Sequence, residues 1–110
     1  MYLKVLRAKL HRVKVTGKEL YYQGSITIGR KRLEKSGIMP GEFVLVVNMN
    51  NGARFETYVI EGEDKEIVLN GAAARLGEVG DELIIMAYAY VTPEEAKNIK
   101  PIVIRPEDIE

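Results

Sequence analysis

The sequence lacks cysteine entirely and contains a single histidine, His11. Without cysteine the chain can form no disulfide, no thiolate nucleophile and no cysteine metal site, which fits a reducing compartment. One histidine without a thiolate partner argues against a structural zinc site, so we expect no metal. No apolar run approaches the roughly 20 residues of a membrane span, and no basic N-terminal segment leads into one. We therefore expect a soluble, cytoplasmic protein without membrane contact.

Length and composition indicate one globular domain. A chain of 110 residues has room for one core, so residues 1–110 are expected to form a single domain. Hydrophobic residues make up 46% of the sequence, the usual level for a compact protein. A domain of this size leaves apolar surface exposed, and association with further copies would cover it.

Charge is unevenly distributed along the chain, although the formal net charge is zero. Residues 1–35 contain ten Lys or Arg and two Asp or Glu, a net of +8, whereas residues 36–110 contain six and fourteen, a net of −8. Such asymmetry has three readings: a nucleic-acid surface, complementary faces within an oligomer, or a basic lining for an acidic small molecule. No aromatic residue interrupts Arg30-Lys31-Arg32, and we expect no nucleic-acid partner.

Short β-like runs separated by Gly, Asn and Pro dominate the chain. They cover residues 3–9 and 10–16 (one long strand or two), 20–28, 43–47, 53–60, 66–69, 83–91 and 102–104. Broken alternation in the second run suggests a β-bulge, and Asn51-Gly52 predicts a hairpin turn. Two short helices are expected, one over residues 30–35 that Gly37 caps and one that begins at Thr92. This pattern predicts an all-β fold, a small closed or nearly closed β-barrel with short peripheral helices.

The pair Gly24-Ser25 lies in the middle of the predicted strand over residues 20–28, where a glycine suggests a kink or a close backbone approach. A serine hydroxyl can attack the carbonyl carbon before it when the backbone is held in a strained geometry. Glycine on the acyl side permits that geometry and leaves the carbonyl open. The pair by itself is common, so its position inside a strand is what singles it out.

Other familiar site types find less support. No glycine-rich loop of the phosphate-binding kind opens a helix. Ser25 and His11 could belong to a serine–histidine–carboxylate triad, but the strand–turn–helix context of a nucleophile elbow is missing.

Four stretches resemble the aspartate 1-decarboxylases of the pantothenate pathway in content, order and spacing. They are KLHRVKVT at 9–16, YYQGS at 21–25, NGARFETYVI at 51–60 and NGAAARLGEVGDELII at 70–85. The resemblance covers roughly the first ninety residues, and the role of the tail after Thr92 stays open. Gln23 stands where some relatives carry glutamate, and Ile26 follows the serine, but neither difference removes a group that the chemistry needs.

The resemblance implies a double-psi β-barrel and a homotetramer with active sites between neighbouring subunits. It also implies a proenzyme, in which Ser25 attacks the Gly24 carbonyl to give an ester and β-elimination releases residues 1–24. The remaining chain, residues 25–110, would begin with a pyruvoyl group derived from Ser25, the only cofactor implied, with neither a metal nor pyridoxal phosphate. This group would form a Schiff base with the small-molecule substrate L-aspartate and accept the electrons left by the departing carboxylate, giving β-alanine and carbon dioxide.

The resemblance also implies roles for individual residues. Thr57 would assist processing by donating its hydroxyl to the Gly24 carbonyl oxygen, and it would line the substrate site. Tyr58 would donate a proton to the carbanion, since a phenol stays protonated at neutral pH. Arg54 would bind a substrate carboxylate with its planar fork, and Lys9 would add a point charge. The remaining substrate-site residues that it implies are Asn70, Gly71, Ala72, Ala73, His11 and Tyr22.

Plainer interpretations of these residues exist. Arg54 could be a solvated hairpin residue and Tyr58 a half-buried barrel aromatic, while His11 could be a satisfied polar residue and Asn70-Gly71 an ordinary turn. For function, two alternatives stay open: the same chemistry on another acidic amino acid such as L-glutamate, or a non-enzymatic barrel that binds nucleic acid or protein. The sequence also leaves open whether a helper protein assists maturation.

Overall fold

Eight β-strands and two short α-helices make up the computed structural model, which describes residues 1–109. The strands are β1 (Leu3–Lys14), β2 (Gly17–Glu19), β3 (Ser25–Gly29), β4 (Phe43–Asn48), β5 (Arg54–Gly62), β6 (Ile67–Asn70), β7 (Glu82–Val91) and β8 (Ile102–Ile104). The α-helices are α1 (Arg30–Ser36) and α2 (Pro93–Ala96), and two 3₁₀ helices cover Gly71–Leu76 and Pro106–Asp108.

The strands form one sheet in the order β2-β6-β3-β5-β4-β7-β1-β8. The pairs β1–β7, β3–β6, β4–β5 and β4–β7 are antiparallel, whereas β1–β8, β2–β6 and β3–β5 are parallel. Each parallel pair joins strands that are not consecutive in the chain, so crossovers connect them. The expected mainly β fold is confirmed, and the interleaved parallel pairs fit the small barrel that the resemblance implied.

The hydrophobic core lies along the inner faces of these strands, where alternate residues are buried. β4 buries Val44 and Val46, and β7 buries Leu83, Ile85 and Ala87. Burial of each larger aliphatic side chain contributes roughly 1.5–3 kcal/mol. Successive side chains of a strand point to opposite faces of the sheet. A slip of one residue in the pairing would therefore exchange the buried and the exposed side chains, so this alternation fixes the strand register.

β1 is one continuous strand with two irregularities in its pairing to β7. The register shifts once between Leu6 and Ala8 and again between Leu10 and Val13. The second shift confirms the predicted bulge. It leaves Arg12 at a φ of 60°, a left-handed conformation that costs a non-glycine residue roughly 1–2 kcal/mol.

The predicted strand over residues 20–28 is wrong in its first half. β3 begins only at Ser25, and residues 20–24 form a turn and irregular backbone. Tyr21 is 99% exposed, and its neighbours up to Gly24 are exposed as well, so these side chains have no buried face against which to alternate. The glycine–serine pair therefore lies at the start of a strand and not inside one.

Both predicted helices are confirmed. α1 ends at Gly37, which has a φ of 78° and donates its N–H to the Leu33 carbonyl. α2 begins with a capping box, in which the Thr92 hydroxyl accepts from the Glu95 N–H and the Glu95 carboxylate accepts from the Thr92 N–H. The hydrogen bonds from Thr92 hold the pKa of the Glu95 carboxyl below its usual range.

Other short elements carry no sequence signal. β2 has the sequence GKE, in which no apolar residue marks a buried face. The 3₁₀ helix over Gly71–Leu76 begins at the second residue of Asn70-Gly71, a pair for which the sequence suggested only a turn. No helix within residues 1–109 is long and apolar enough to cross a membrane, and the expected cytoplasmic location stays a prediction.

The turn between β5 and β6 crosses the end of β3 at close range. The Gly29 N–H donates to the Glu66 carbonyl at 2.9 Å. A β-carbon added at Gly29 would lie 2.7 Å from the Glu63 carbonyl oxygen and 2.9 Å from the Lys65 backbone nitrogen. Only glycine permits this approach without movement of the turn.

We expect Gly29→Ala to lower the free energy of unfolding by about 1–3 kcal/mol, because the backbone of the turn must move. Gly17→Ala is the matched control, since its β-carbon would meet only the Val68 methyl groups at 3.6 and 3.8 Å. For the control we expect a change within about 0.5 kcal/mol. Urea denaturation measures both variants, and equal losses would contradict the importance of the close approach.

Candidate active site

Ser25, the first residue of β3, is fully buried. Its hydroxyl donates to the Gln23 carbonyl oxygen at 2.9 Å and accepts from the Asn70 side-chain amide at 3.1 Å. A hydroxyl has one proton and two lone pairs, so one lone pair of Oγ is left over by these two bonds. The oxygen is thus held in place and keeps a lone pair that can attack a carbonyl carbon.

Asn70 fixes this serine from the neighbouring strand. It is the last residue of β6, stands opposite Ser25 in the antiparallel β3–β6 pair and is only 2% exposed. Its amide nitrogen donates to the hydroxyl oxygens of Ser25 and Thr27, at 3.1 and 3.0 Å. Both amide protons are therefore used, and loss of either acceptor would leave a buried donor unsatisfied at a cost of roughly 1–3 kcal/mol.

Gly71 packs against the peptide that precedes the serine. It has a φ of 67°, and a β-carbon added there would lie 2.7 Å from the Gly24 α-carbon, 2.8 Å from the Gly24 nitrogen and 2.9 Å from the Tyr22 carbonyl oxygen. A β-carbon added at Gly24 itself would meet nothing within 4 Å. The Gly24 backbone is therefore supported on one side by Gly71 and open on the other.

Tyr58, on β5, contacts the turn that precedes the serine. The parallel β3–β5 register pairs Ile26 with Val59, so the residues before them, Ser25 and Tyr58, are neighbours. The Tyr58 hydroxyl donates to the side-chain carbonyl oxygen of Gln23 at 3.0 Å. Gln23 thus accepts from Ser25 through its backbone and from Tyr58 through its side chain.

The structure also brings four other predicted residues near this group. Thr57 is buried on β5, but no hydrogen bond within residues 1–109 involves its hydroxyl, so its donation to the Gly24 carbonyl stays a prediction. On the first 3₁₀ helix Ala73 is buried and Ala72 is exposed. The Tyr22 side chain is largely exposed, and its backbone carbonyl faces the start of that helix.

The predicted carboxylate binders lie apart from the serine. Arg54 is exposed at the start of β5, and Lys9 and His11 lie on β1, which β5, β4 and β7 separate from β3 in the sheet. Within residues 1–109 no ion pair or hydrogen bond joins these three residues to Ser25 or its partners. His11 Nδ1 is buried and has no hydrogen-bond partner in the same part of the chain.

A cavity of about 530 Å³ borders the serine group, and Thr27, Asn70 and Tyr22 belong to its lining. Its charged lining residues are one lysine and three glutamates: Lys18, Glu19, Glu61 and Glu66. A substrate with two carboxylates would meet mostly like charge there. The cations that it needs must therefore come from outside this lining.

Two residues that contact the serine group escape sequence prediction. Thr27 shares a face of β3 with Ser25, and the two-residue period of a strand could have identified it. Gln23 lies in a turn, where no periodicity says which way a side chain points. Its contacts with Ser25 and Tyr58 become visible only in the folded chain.

Comparison with known proteins finds relatives over nearly the whole chain. The sequence profile of the family described as aspartate decarboxylase matches residues 1–109. The chain is 55% identical to the aspartate 1-decarboxylase of Chloroherpeton thalassium over 106 residues, which are 94% of this chain and 78% of that protein. It is 52% identical to the enzyme of the same name from Salinibacter ruber over 110 residues, 98% of this chain and 75% of the relative. For that of Campylobacter jejuni strain 81-176 the identity is 55% over 105 residues, 94% and 83% of the two chains.

The support that Gly71 gives to Gly24 can be tested in a Ser25→Ala background, in which the hydroxyl is absent. There we expect Gly71→Ala to lower the free energy of unfolding by about 1–3 kcal/mol more than Gly80→Ala does. Both glycines have a left-handed φ, 67° and 95°, but a β-carbon at Gly80 would meet nothing within 4 Å. Chemical denaturation compares the two variants. Equal losses of unfolding free energy would mean that the Gly24 backbone moves aside without cost and that Gly71 does not support it.

Proposed function

The chain belongs to the aspartate decarboxylase family, and we propose that it is a proenzyme that cuts itself between Gly24 and Ser25 to make its own cofactor. Its activity is the decarboxylation of L-aspartate to β-alanine and carbon dioxide. Relatives that are more than half identical over most of the chain support this assignment. The observation that carries the self-cleavage is the buried Ser25 hydroxyl, held by Asn70 and Gln23 beside the glycine peptide.

The cut starts with attack of Ser25 Oγ on the Gly24 carbonyl carbon. The new C–O bond replaces the peptide C–N bond, so the amide becomes an ester and the serine nitrogen takes up the hydroxyl proton. Removal of the Ser25 α-proton then breaks the Cβ–O bond, and residues 1–24 leave with a new carboxyl terminus. Addition of water to the remaining dehydroalanine and loss of ammonia leave a pyruvoyl group on the chain of residues 25–110.

Two glycines support this step: Gly24, which precedes the scissile peptide bond, and Gly71, which packs against it. Gly71 contacts the Gly24 backbone so closely that any side chain would displace it. Gly24 carries no side chain on its open face, which leaves an approach to its carbonyl. In our proposal Thr57, buried on the adjacent strand, donates its hydroxyl to that carbonyl oxygen and stabilises the negative charge that develops there.

A keto group at residue 25 fits the surroundings of the serine. Ser25 Oγ leaves with the new carboxyl terminus, and the keto oxygen, which comes from water, is bound to the former α-carbon. A ketone accepts hydrogen bonds and donates none, and departure of Oγ frees the Asn70 N–H that donates to it at 3.1 Å in the uncut chain. The one partner that requires a hydroxyl proton is the Gln23 carbonyl, and it belongs to the released chain. The group supplies an electron sink for the electrons of the breaking carbon–carbon bond, as pyridoxal phosphate does in other decarboxylases.

We assign to Tyr58 the return of a proton to the substrate α-carbon. Its hydroxyl donates a hydrogen bond to Gln23 Oε1 at 3.0 Å, on the turn that precedes Ser25. The β3–β5 register puts this residue next to Ser25. Proximity of this kind is the first requirement for a general acid.

Arg54 and Lys9 bind the substrate carboxylates in our proposal, and a neighbouring copy of the chain supplies cations to the site. The acidic lining of the adjoining cavity and the distance of β1 from β3 in the sheet support this view. Exposed aromatic side chains support assembly as well: Tyr90 is 70% and Phe43 60% exposed. A homotetramer with active sites between subunits accounts for these features.

Ser25→Ala should yield a single chain of full mass without decarboxylase activity, because no hydroxyl remains to attack Gly24. Ser36→Ala is the matched control, since Ser36 is also buried and hydrogen-bonded but lies outside the site. Intact mass spectrometry should find two fragments and a hydrazine-trappable ketone in the wild type and in the control. Activity of uncut Ser25→Ala protein would refute the cofactor assignment.

Arg54→Ala should be cut normally but lose kcat/KM for aspartate by about 100-fold or more, because a bidentate carboxylate contact disappears. The control is Arg75→Ala, which removes an exposed arginine from the end of the first 3₁₀ helix. Steady-state kinetics on fully cut protein measures both variants. Near wild-type kinetics in Arg54→Ala would remove this residue from the substrate site.

A further inference from the structure

A second, basic cavity of about 350 Å³ lies between β1, α1, the turn after β5 and the C-terminal 3₁₀ helix. Its lining residues are Arg12, Lys14, Thr16, Arg32, Lys65, Glu82, Pro106 and Ile109. Thr16 is the one residue that it shares with the cavity beside the serine. The decarboxylation described above uses none of its cations.

The cavity carries more positive charge than its own carboxylate can neutralise. Glu82 is the only acidic residue of the lining, and it pairs with Arg12 at 3.0 Å. Within residues 1–109 no ion pair involves Lys14, Arg32 or Lys65. Three cationic side chains therefore face one small space without a counter-charge from the described chain.

Arg32 is the most unusual of these cations. Its side chain is half-buried, and both Nε and Nη1 are buried without a hydrogen-bond partner within residues 1–109. Burial lowers the pKa of this guanidinium, yet arginine keeps its proton at physiological pH. Buried donor atoms of a cation without a partner are unfavourable, and a bound anion would satisfy them.

The backbone conformation of two lining residues also indicates a ligand site. Arg12 and Lys65 have φ values of 60° and 74°, and they are the only non-glycine residues within 1–109 at positive φ. Both line this cavity. Left-handed backbone at bulky residues is strained and tends to occur at ligand sites, where it aims side chains that a relaxed strand would direct elsewhere.

We infer that this cavity is a binding site for a compact oxyanion of the phosphate class, held by Arg32, Lys14 and Lys65. The guanidinium offers buried N–H donors and the lysines add mobile charges, a combination suited to phosphate oxygens. A space of about 350 Å³ admits a phosphate or diphosphate and excludes a double helix. The inference does not depend on the proposed self-cleavage or on the decarboxylase chemistry.

The test is calorimetric titration of the purified wild-type protein with inorganic phosphate and with pyrophosphate, against sodium chloride at equal ionic strength. We expect saturable binding near one anion per chain, and a phosphate-dependent rise in Tm that chloride does not give. Arg32→Met should weaken phosphate binding by at least about tenfold, because it removes charge-assisted hydrogen bonds.

Arg30→Met is the matched control. Arg30 lies on the same helix as Arg32, but it is exposed and pairs with Glu61 at 3.2 Å, so its loss should leave phosphate affinity unchanged. Lys14→Gln removes an exposed lining side chain without disturbing the core and should weaken binding several-fold. Absence of saturable binding in the wild type would overturn the proposal. Equal losses of phosphate affinity in Arg30→Met and Arg32→Met would also overturn it, as would tighter binding of duplex DNA than of pyrophosphate. Either result would indicate attraction to the positive potential of the surface in general and not a site.

Discussion

The hydrogen bonds that the Asn70 amide makes across the β3–β6 pair are the constraint on which the rest of the site depends. Asn70 and Ser25 are paired residues, so the strand register fixes their separation before any side-chain torsion is chosen. A slip of one residue would turn Ser25 to the other face of the sheet and leave the buried amide without acceptors, at roughly 1–3 kcal/mol for each unsatisfied group. The same slip would move Ile26 and Leu69, which are fully buried on these two strands, out of their packing positions. The burial of the core and the placement of the nucleophile are thus set by one register.

The scissile peptide proposed here lies where the β-ladder stops. The described pairings of β3 begin at Ser25, so Gly24 lies outside the ladder and its backbone is not bound to a flat, extended conformation. A peptide in the middle of a strand would have both polar groups engaged, and bending its carbonyl toward a neighbouring hydroxyl would break ladder bonds. Gln23 partly replaces the ladder, since it accepts from Ser25 and from Tyr58 on its own two carbonyl groups. After the cut it would be the penultimate residue of a separate chain, no longer covalently tied to the residues that it orients.

Local patterns predict the elements well where burial is one-sided and fail where it is not. The bulge in β1, the capping box at Thr92 and the hairpin turn at Asn51-Gly52 all follow from short-range rules, and the structure has each of them. The strand predicted through residues 20–24 fails because its apparent alternation came from tyrosines that meet no core. Ser25, Asn70 and Tyr58 are predicted as site residues because the family resemblance implies them, whereas Gln23 and Thr27 are not. The contacts of Ser25, Asn70 and Tyr58 could not be predicted, since they depend on the pairing of β3 with β5 and β6, strands that do not directly follow it in the chain, for which no sequence period exists.

The uneven charge of the sequence is partly neutralised by ion pairs inside the folded chain. Four ion pairs join a cation from the first 35 residues to a carboxylate from the remainder: Arg7–Glu42, Arg12–Glu82, Lys18–Glu78 and Arg30–Glu61. Each exposed pair contributes at most about 1 kcal/mol, and together they pair four of the ten cations of residues 1–35. Arg32 differs from Arg30 because residues two apart on a helix lie about 200° around its axis. One arginine therefore reaches solvent and Glu61, while the other enters a cavity whose one carboxylate, Glu82, pairs with Arg12. The two arginines are equivalent in the composition of the chain. Their positions on the helix differ, so that Arg30 forms an ion pair with Glu61 and Arg32 is available to an external anion.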